Sequence, residues 1–163
     1  MPPTLAAASP RSYLHDRVQR QYLEVLPSRW RAVLSRLAKN TQLRQKLDGV
    51  IDSNLLSNIQ NDFDLIHALL EEEHRIYREG MICLCSLSSN REAETGRLAA
   101  SRQLMQGMLA CIAVKELLIA HWKGAPVDTS PNTLRVYCHA CISNPHVSAT
   151  NVERLLALYT VPR

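Results

Sequence analysis

The chain has 163 residues and a formal net charge of +4, and 46% of its residues are hydrophobic, with only five glycines and an odd number of cysteines, five. This length favours one domain with a buried core and excludes two well-buried domains. The scarcity of glycine and of alternating β-branched residues excludes a strand-rich fold, so we predict an all-α protein. Five cysteines without an even-spaced framework or a secretory apolar leader favour an intracellular protein with free thiols.

The charged residues are divided between two segments. Residues 1–46 carry nine basic side chains against Asp16 and Glu24, whereas residues 47–80 carry eight acidic side chains against Arg75 and Arg78. A block of one charge sign marks a solvated face or an interaction surface. We therefore expect a basic surface on the first helices and an acidic outer face on the helix that follows.

The N-terminal part is predicted to form an arm and then a helical bundle over residues 12–88. Residues 1–11 are rich in Pro and Ala and are expected to be a flexible arm or an uncleaved targeting signal. Apolar residues at helical spacing predict a helix over residues 12–26, which Pro27 should end, and a second over residues 28–40.

Two more helices are predicted before the end of this bundle. Thr41 should cap a helix over residues 41–55. A central helix over residues 61–87 should follow, because its apolar residues recur at helical spacing and form a stripe that faces the core: Ile66, Leu69, Leu70, Tyr77, Met81 and Leu84.

Residues 89–163 are predicted to be a helical extension packed on the bundle. A long helix over residues 91–123 should be followed by a helix that Ser130 caps and by a last helix that starts at the capping-box spacing of Thr150 and Glu153.

The apolar run at residues 104–122 has two interpretations. It is long enough to span a bilayer, but Lys115 and Glu116 would then place charged groups in hydrocarbon. We favour a buried core helix for this reason.

One pattern suggests a metal site. Cys138, Cys141 and His146 have the spacing of the first three ligands of a zinc knuckle, C-x2-C-x4-H, but Asn151 occupies the fourth position. A structural zinc site needs four ligands, so His139 or a distant cysteine would have to substitute. We prefer buried free thiols and predict no bound metal, with a small zinc-binding adaptor as an alternative.

Catalysis is not predicted. Glu71 and His74 have the i, i+3 spacing of a di-iron ligand pair, but such a bundle needs a second pair, and the chain has no other E-x-x-H. The sequence also lacks a G-x-S-x-G elbow and a glycine-rich phosphate loop. A binding or scaffold protein is therefore favoured over an enzyme.

The basic N-terminal part is the strongest candidate for a binding surface. Residues 11–46 interleave basic side chains with Tyr13, Tyr22 and Trp30, which could contact either nucleic acid or an acidic protein. Two functional classes follow. The chain is either a subunit that docks a protein, or a helical scaffold of a ribonucleoprotein or viral assembly whose basic face contacts nucleic acid.

Three sequence blocks follow one another in the same order as the motifs of a known protein family. HDRVQRQYLEVLP contains an early tyrosine among basic residues, LRQKLDGVIDSN is an Arg-containing block that ends in Asn, and NDFDLIHALLEEE contains an Asp, Ile, Leu-Leu series. Together they resemble the motifs of the LYR-motif family of small mitochondrial helical proteins, in particular the LYR accessory subunits of respiratory complex I. The resemblance covers residues 13–85.

The chain departs from the family pattern at several positions. QYL at residues 21–23 stands where Leu-Tyr-Arg is expected, and Val50 or Ile51 stands where the family has Phe. RWR at residues 29–31 is an alternative register for the first motif.

The resemblance implies a bundle of three to four helices with a long helix and a short C-terminal helical extension. It implies a non-catalytic accessory subunit or assembly factor of complex I, the NADH dehydrogenase, on the matrix side of the mitochondrial inner membrane and peripheral to it. The implied partners are acyl carrier protein and neighbouring subunits rather than nucleic acid. The chain would have no cofactor of its own, while the acylated phosphopantetheine of the carrier would enter the apolar centre of the helices.

The partner-binding residues that follow from the charge pattern and the motif are Arg17, Arg20, Tyr22, Arg44 and Lys46. Arg17 and Arg20 are three residues apart on one predicted helix, so we expect them to share an exposed rim.

Overall fold

The computed structural model describes residues 9–47, 50, 52–85, 93–125 and 129–160. Within these residues the chain forms five helices and no strand, which confirms the predicted all-α class. They are α1, in which Pro10–Ser12, Tyr13–Val25 and Leu26–Lys46 follow one another without a break, α2 (Ser53–Cys85), α3 (Ala93–Lys123), α4 (Pro131–Ile142) and α5 (Ala149–Thr160). α2 packs against α1 and α3, α4 packs against α1 and α3, and α5 packs against α3 and the first part of α1.

α1 continues through Pro27, where the sequence predicts a stop. The part Tyr13–Val25 is π-helical, with hydrogen bonds between residues five apart, and the Leu26 N–H still donates to the carbonyl oxygen of Gln21. Pro27 lies just after this bond, in the first turn of the regular α-helical part. Proline is tolerated in a first turn because its missing N–H is not needed there. The prediction of separate helices on either side of Pro27 is therefore wrong.

Thr41 does not begin a helix either. Its hydroxyl donates to the carbonyl oxygen of Leu37 one turn earlier, with Oγ1 and O 2.7 Å apart. A threonine inside a helix commonly bonds back in this way. The prediction of a new helix at Thr41 is wrong, and α1 runs on to Lys46.

α2 starts at Ser53, eight residues before the predicted start of the central helix. Asp52 caps it, since its Oδ1 accepts hydrogen bonds from the backbone N–H of Asn54 at 3.0 Å and of Leu55 at 3.1 Å. A side-chain acceptor of this kind satisfies donors that the first turn leaves free. The predicted third helix is thus the end of α1 and the beginning of α2.

The last two helices are capped by serines. Ser130 caps α4 as predicted, because its Oγ accepts from the backbone N–H of Thr133 at 3.2 Å. The prediction that Thr150 caps the last helix is wrong, since the Oγ of Ser148 accepts from the backbone N–H of Asn151 at 3.1 Å.

One hydrophobic core runs through all five helices, so the residues from Ala93 onward share the core with α1 and α2. In α1 its members follow a four-residue repeat: Leu14, Val18, Tyr22, Leu26, Trp30 and Leu34. In a regular α-helix each four-residue step rotates the stripe by about 40°. The wider turns of the π-helical part rotate it in the opposite sense, which keeps the stripe on the inner side of a long helix.

The core-facing stripe predicted for the central helix is largely confirmed. Ile66, Leu69, Leu70 and Leu84 are buried, but Met81 is 39% exposed, so its predicted inward position is wrong. Ile76 and Glu73, both fully buried, occupy the core side of α2 instead.

α3 contains the stretch Gly96–Lys123, which is long and apolar enough to cross a membrane by length and composition alone. In this structure its Met105, Met108 and Ile112 lie in the core, 2% exposed or less. One side of α3 therefore packs in the core, while Leu109 and Leu117 on its other side are 42% and 60% exposed.

Gly80 lies where α1, α2 and α3 come closest. A Cβ at this position would collide with the hydroxyl of Tyr13 and lie 2.5 Å from the sulfur of Met105. The Tyr13 hydroxyl is held in place because it donates to the carbonyl oxygen of Ile76 at 2.6 Å. Only glycine fits here without displacing the side chains of Tyr13 and Met105.

We expect Gly80→Ala to lower the free energy of unfolding by about 1–3 kcal/mol, because the added methyl group overpacks the core. Gly96→Ala is the matched control, since a Cβ there meets no atom within 4 Å. Gly96→Ala should raise the free energy of unfolding by about 0.5–1 kcal/mol, because alanine is favoured over glycine inside a helix. Urea unfolding followed by circular dichroism measures both, and equal effects of the two substitutions would contradict the close approach at Gly80.

Candidate functional site

The part Leu26–Lys46 of α1 carries six basic residues and no acidic residue. One of them, Arg36, donates from Nε to Oδ1 of Asp62 at 3.3 Å. The other five are exposed and make no ion pair with any residue that the structure describes: Arg29, Arg31, Lys39, Arg44 and Lys46. We refer to these five residues as the basic segment.

Three members of the basic segment point away from the core. Lys39 and Lys46 are seven residues apart and differ in direction by only about 20° on an α-helix, whereas Arg31, eight residues before Lys39, is rotated by about 80° but stays on the same broad exposed face. Trp30 and Leu34, on the opposite side of α1, are buried. The three cations therefore form a ridge on the outer surface, about 22 Å long at the usual helical rise.

Arg17 is not part of an exposed rim. It is half-buried between α1 and α2, where its Nε donates to Glu79 Oε2 at 2.7 Å and its Nη2 donates to Glu72 Oε1 at 3.0 Å. The expectation that Arg17 and Arg20 share an exposed rim is wrong, because two carboxylates of α2 engage Arg17. Arg20 itself is exposed.

The remaining partner-binding candidates are also separated in space. Tyr22 is only 1% exposed and lies in the core, whereas Arg44 and Lys46 are exposed at the C-terminal end of α1. The structure thus places Arg44 and Lys46 in the last turns of α1 but on different sides of the helix, and it places Arg20 near the other end of the same helix.

A second polar group of residues lies at the centre of the bundle. The Nζ of Lys115 donates to Glu73 Oε1 at 2.5 Å and to Asn144 Oδ1 at 2.8 Å. The Trp30 Nε1–H donates to the other carboxylate oxygen of Glu73 at 2.7 Å. The side chains of Glu73 and Lys115 are 0% and 3% exposed. We refer to Trp30, Glu73, Lys115 and Asn144 as the buried cluster.

Aromatic rings complete the surroundings of the Lys115 ammonium. It lies 5.1 Å from the centre of the Tyr22 ring and 5.6 Å from the centre of the Trp30 ring. Burial and the nearby Glu73 carboxylate raise the pKa of Tyr22, so its hydroxyl stays protonated. That hydroxyl is buried without a hydrogen-bond partner of good geometry among the described residues.

The buried cluster contributes to the packing of the bundle. Its two charges neutralise each other, and neither lines the cavities of about 190 Å³ beside His146 or about 50 Å³ beside Trp122. Breaking such a pair is costly because it leaves a bare charge in the interior. The pair therefore stabilises one particular arrangement of α1, α2 and α3.

Sequence reasoning missed this cluster. The predicted acidic outer face of the central helix included Glu73, but Glu73 is seven residues after Ile66 and so falls on the same buried side. Two features of the sequence indicate such a cluster: Glu73 stands at a core position of the central helix, and Lys115 stands inside the apolar run of α3.

The proposed metal ligands do not converge. Cys141 is buried, Cys138 is half-buried on the same helix, and His146 is exposed on the turn before α5. Among the described residues no group of three or more His, Cys, Asp or Glu side chains has the geometry of a metal site. His74, the other ligand candidate, has its Nε2 2.7 Å from Oε1 of Glu116 on α3.

We expect Lys115→Met to destabilise the protein by about 3–5 kcal/mol, because Glu73 would remain buried without its counter-charge. The double variant Glu73→Leu with Lys115→Met removes both charges and should be more stable than Lys115→Met alone. Chemical denaturation of the two variants measures the difference. If the double variant is the less stable of the two, the ion pair is not the reason for the loss.

We also expect the buried cysteines to react slowly. Burial raises the pKa of Cys141 to about 12 and that of Cys83 to about 11. The thiolate is the reactive form, so at pH 8 iodoacetamide should alkylate both residues far more slowly in the folded protein than in urea. Peptide mass spectrometry reports each rate, and equal rates in both conditions for Cys141 would contradict its burial.

Comparison of the chain with models of protein families, with curated proteins and with solved structures gave no match in any of the three. A functional proposal for this chain therefore starts from the basic segment.

Proposed function

We propose that this chain is a non-catalytic helical subunit or assembly factor that docks an acidic protein partner on the basic segment of α1. The observation that carries the proposal is five exposed cations, without an ion pair to any described residue, on a stretch of sequence that lacks acids. Like charges held together repel one another and weaken the folded state. An acidic partner would remove that repulsion, and it would be steered and oriented by the same charges.

A protein partner is favoured over single-stranded nucleic acid. Proteins that bind single strands combine basic grooves with exposed aromatic rings on which bases stack. The three aromatic residues of this region, Tyr13, Tyr22 and Trp30, are each only 1% exposed. The basic segment thus offers charge without stacking surfaces.

The resemblance to the LYR-motif family suggests a partner with the required charge. The mitochondrial acyl carrier protein of those complexes presents an acidic helix, which would meet the ridge of Arg31, Lys39 and Lys46. In this proposal the chain is an accessory subunit or assembly factor of respiratory complex I. It acts on the matrix side of the inner membrane and touches neighbouring subunits.

The proposed contact uses surface charges rather than the interior. Tyr22 and Trp30 fill the space between α1, α2 and α3 and are each 1% exposed. An acyl chain on the phosphopantetheine of the carrier would enter this space only after those side chains moved. Docking therefore depends on the basic segment, with Arg20 as an additional exposed cation on α1, and needs no cofactor of the chain itself.

We expect the triple variant Arg31→Glu, Lys39→Glu and Lys46→Glu to lose at least tenfold in affinity for acyl carrier protein, because the ridge would repel the acidic helix. Helix content by circular dichroism should not change, since all three side chains are exposed. Isothermal titration with purified carrier protein at physiological salt measures the affinity.

The matched control is Arg78→Glu, Arg102→Glu and Arg154→Glu, which changes the net charge by the same amount at exposed positions outside the basic segment. It should bind the carrier nearly as well as the unchanged protein. Equal losses in both triple variants, or no binding by the unchanged protein, would overturn the proposal. Binding to duplex nucleic acid with a steep salt dependence would instead support the scaffold function.

A further inference from the structure

A small cavity opens where the C-terminal ends of α1 and α3 meet the N-terminal half of α2. Its volume is about 50 Å³, and its lining includes Thr41, Arg44, Phe63, Trp122 and Lys123. Among the residues that the structure describes, the lining contains no acidic side chain. Arg44 and Lys123 are both exposed, so the cavity is accessible from solvent at its cationic side.

The two cations of this cavity are not neutralised by the described part of the chain. Neither Arg44 nor Lys123 makes an ion pair with a described residue. Lys123 is nevertheless held in place, because its Nζ lies 5.3 Å from the centre of the Phe63 ring and 2.6 Å from Nε2 of His67. The Lys123 ammonium has three N–H groups, so this contact with His67 leaves others that can face a ligand.

The other polar groups of the wall already have partners. The Trp122 Nε1–H donates to Oγ1 of Thr41 at 3.2 Å, and the Thr41 hydroxyl donates to the carbonyl oxygen of Leu37. Within the described part of the chain, no negatively charged acceptor therefore pairs with Arg44 and Lys123.

We propose that this cavity binds a phosphate group. A volume of about 50 Å³ is several times the 10–15 Å³ minimum for one ordered water, and the cavity is open to solvent, so some oxygens of a phosphate fit inside it while the rest of the group stays hydrated. The planar guanidinium of Arg44 suits two oxygens of one phosphate, and the Lys123 ammonium supplies a second positive charge. The apolar walls at Phe63 and Trp122 keep water away from part of the site, which strengthens the attraction. The site does not depend on the partner proposed above.

Arg44 and Lys123 also lie in the last turns of α1 and α3, where cations stabilise the carbonyl ends of helices. If that were their whole role, replacing them would lower stability without changing phosphate affinity. Affinity and stability therefore have to be measured on the same variants.

The test is isothermal titration of the full chain with inorganic phosphate at 0.15 M salt, on the order of physiological ionic strength. We expect saturable binding of one phosphate, and a loss of at least tenfold in affinity for Arg44→Gln and for Lys123→Gln. Arg78→Gln and Arg154→Gln are the matched controls, because these arginines are exposed elsewhere on the surface, and both should keep the affinity. Thermal melts of all variants confirm that each is folded.

Parallel titrations identify the source and the specificity of the phosphate. Tighter binding of glycerol 3-phosphate than of inorganic phosphate indicates a phosphate monoester on a larger molecule, and the reverse order indicates free phosphate. Absence of saturation, equal losses in the site and control variants, or acetate binding as tightly as phosphate would each overturn the proposal.

Discussion

The ion pair between Glu73 and Lys115 fixes how the helices fit together. Two charges without access to water are tolerated only when their hydrogen-bonding groups are satisfied. Trp30 supplies the second donor to the carboxylate, and Asn144 supplies a second acceptor for the ammonium. Sliding α3 by one turn along α2 would leave both charges unpaired, at a cost of several kcal/mol, comparable to the stability of a small domain.

α1 and α2 run in opposite directions, as the pairs Arg17–Glu79 and Arg36–Asp62 show, and this explains why the basic segment stays without counter-charges. The first part of α1 lies beside the acid-rich second half of α2, so Arg17 forms ion pairs with Glu72 and Glu79. The C-terminal part of α1 lies beside the first half of α2, where Asp62 is already bonded to Arg36 and Asn40. Folding thus pairs Arg17, in the first part of α1, with acids, while most cations of α1 without an ion pair to a described residue lie in the part Leu26–Lys46.

Sequence patterns predicted the helical class, the core stripe at Ile66, Leu69 and Leu70, and the Ser130 cap, because each depends on residues within one or two turns. They failed at Pro27 and Thr41, where local stop signals are overridden by a helix whose whole inner side is buried. The four-residue repeat of apolar residues in α1 is visible in the sequence, but it did not predict that Tyr13–Val25 would be π-helical.

The candidate site was less predictable than the fold. Exposure of Arg44 and Lys46 follows from their position on a polar helix face, whereas the engagement of Arg17 depends on which helix lies alongside. The partner of Glu73 is 42 residues away in the sequence, and no local pattern connects the two. Long-range pairing of charges was the information that a single sequence did not supply.

The buried cluster also has a consequence for the order of folding during synthesis. Its four members are spread from Trp30 to Asn144, so the cluster is incomplete until most of the chain has left the ribosome. Until then α1 and α2 can pair only by keeping the Glu73 carboxylate in contact with water, because an unpaired buried charge costs too much. We therefore expect the first two helices to emerge as a loose hairpin that stays hydrated at its centre. They close into a dry core only when α3 and the turn at Asn144 arrive, which leaves a long interval in which chaperones can hold the nascent chain.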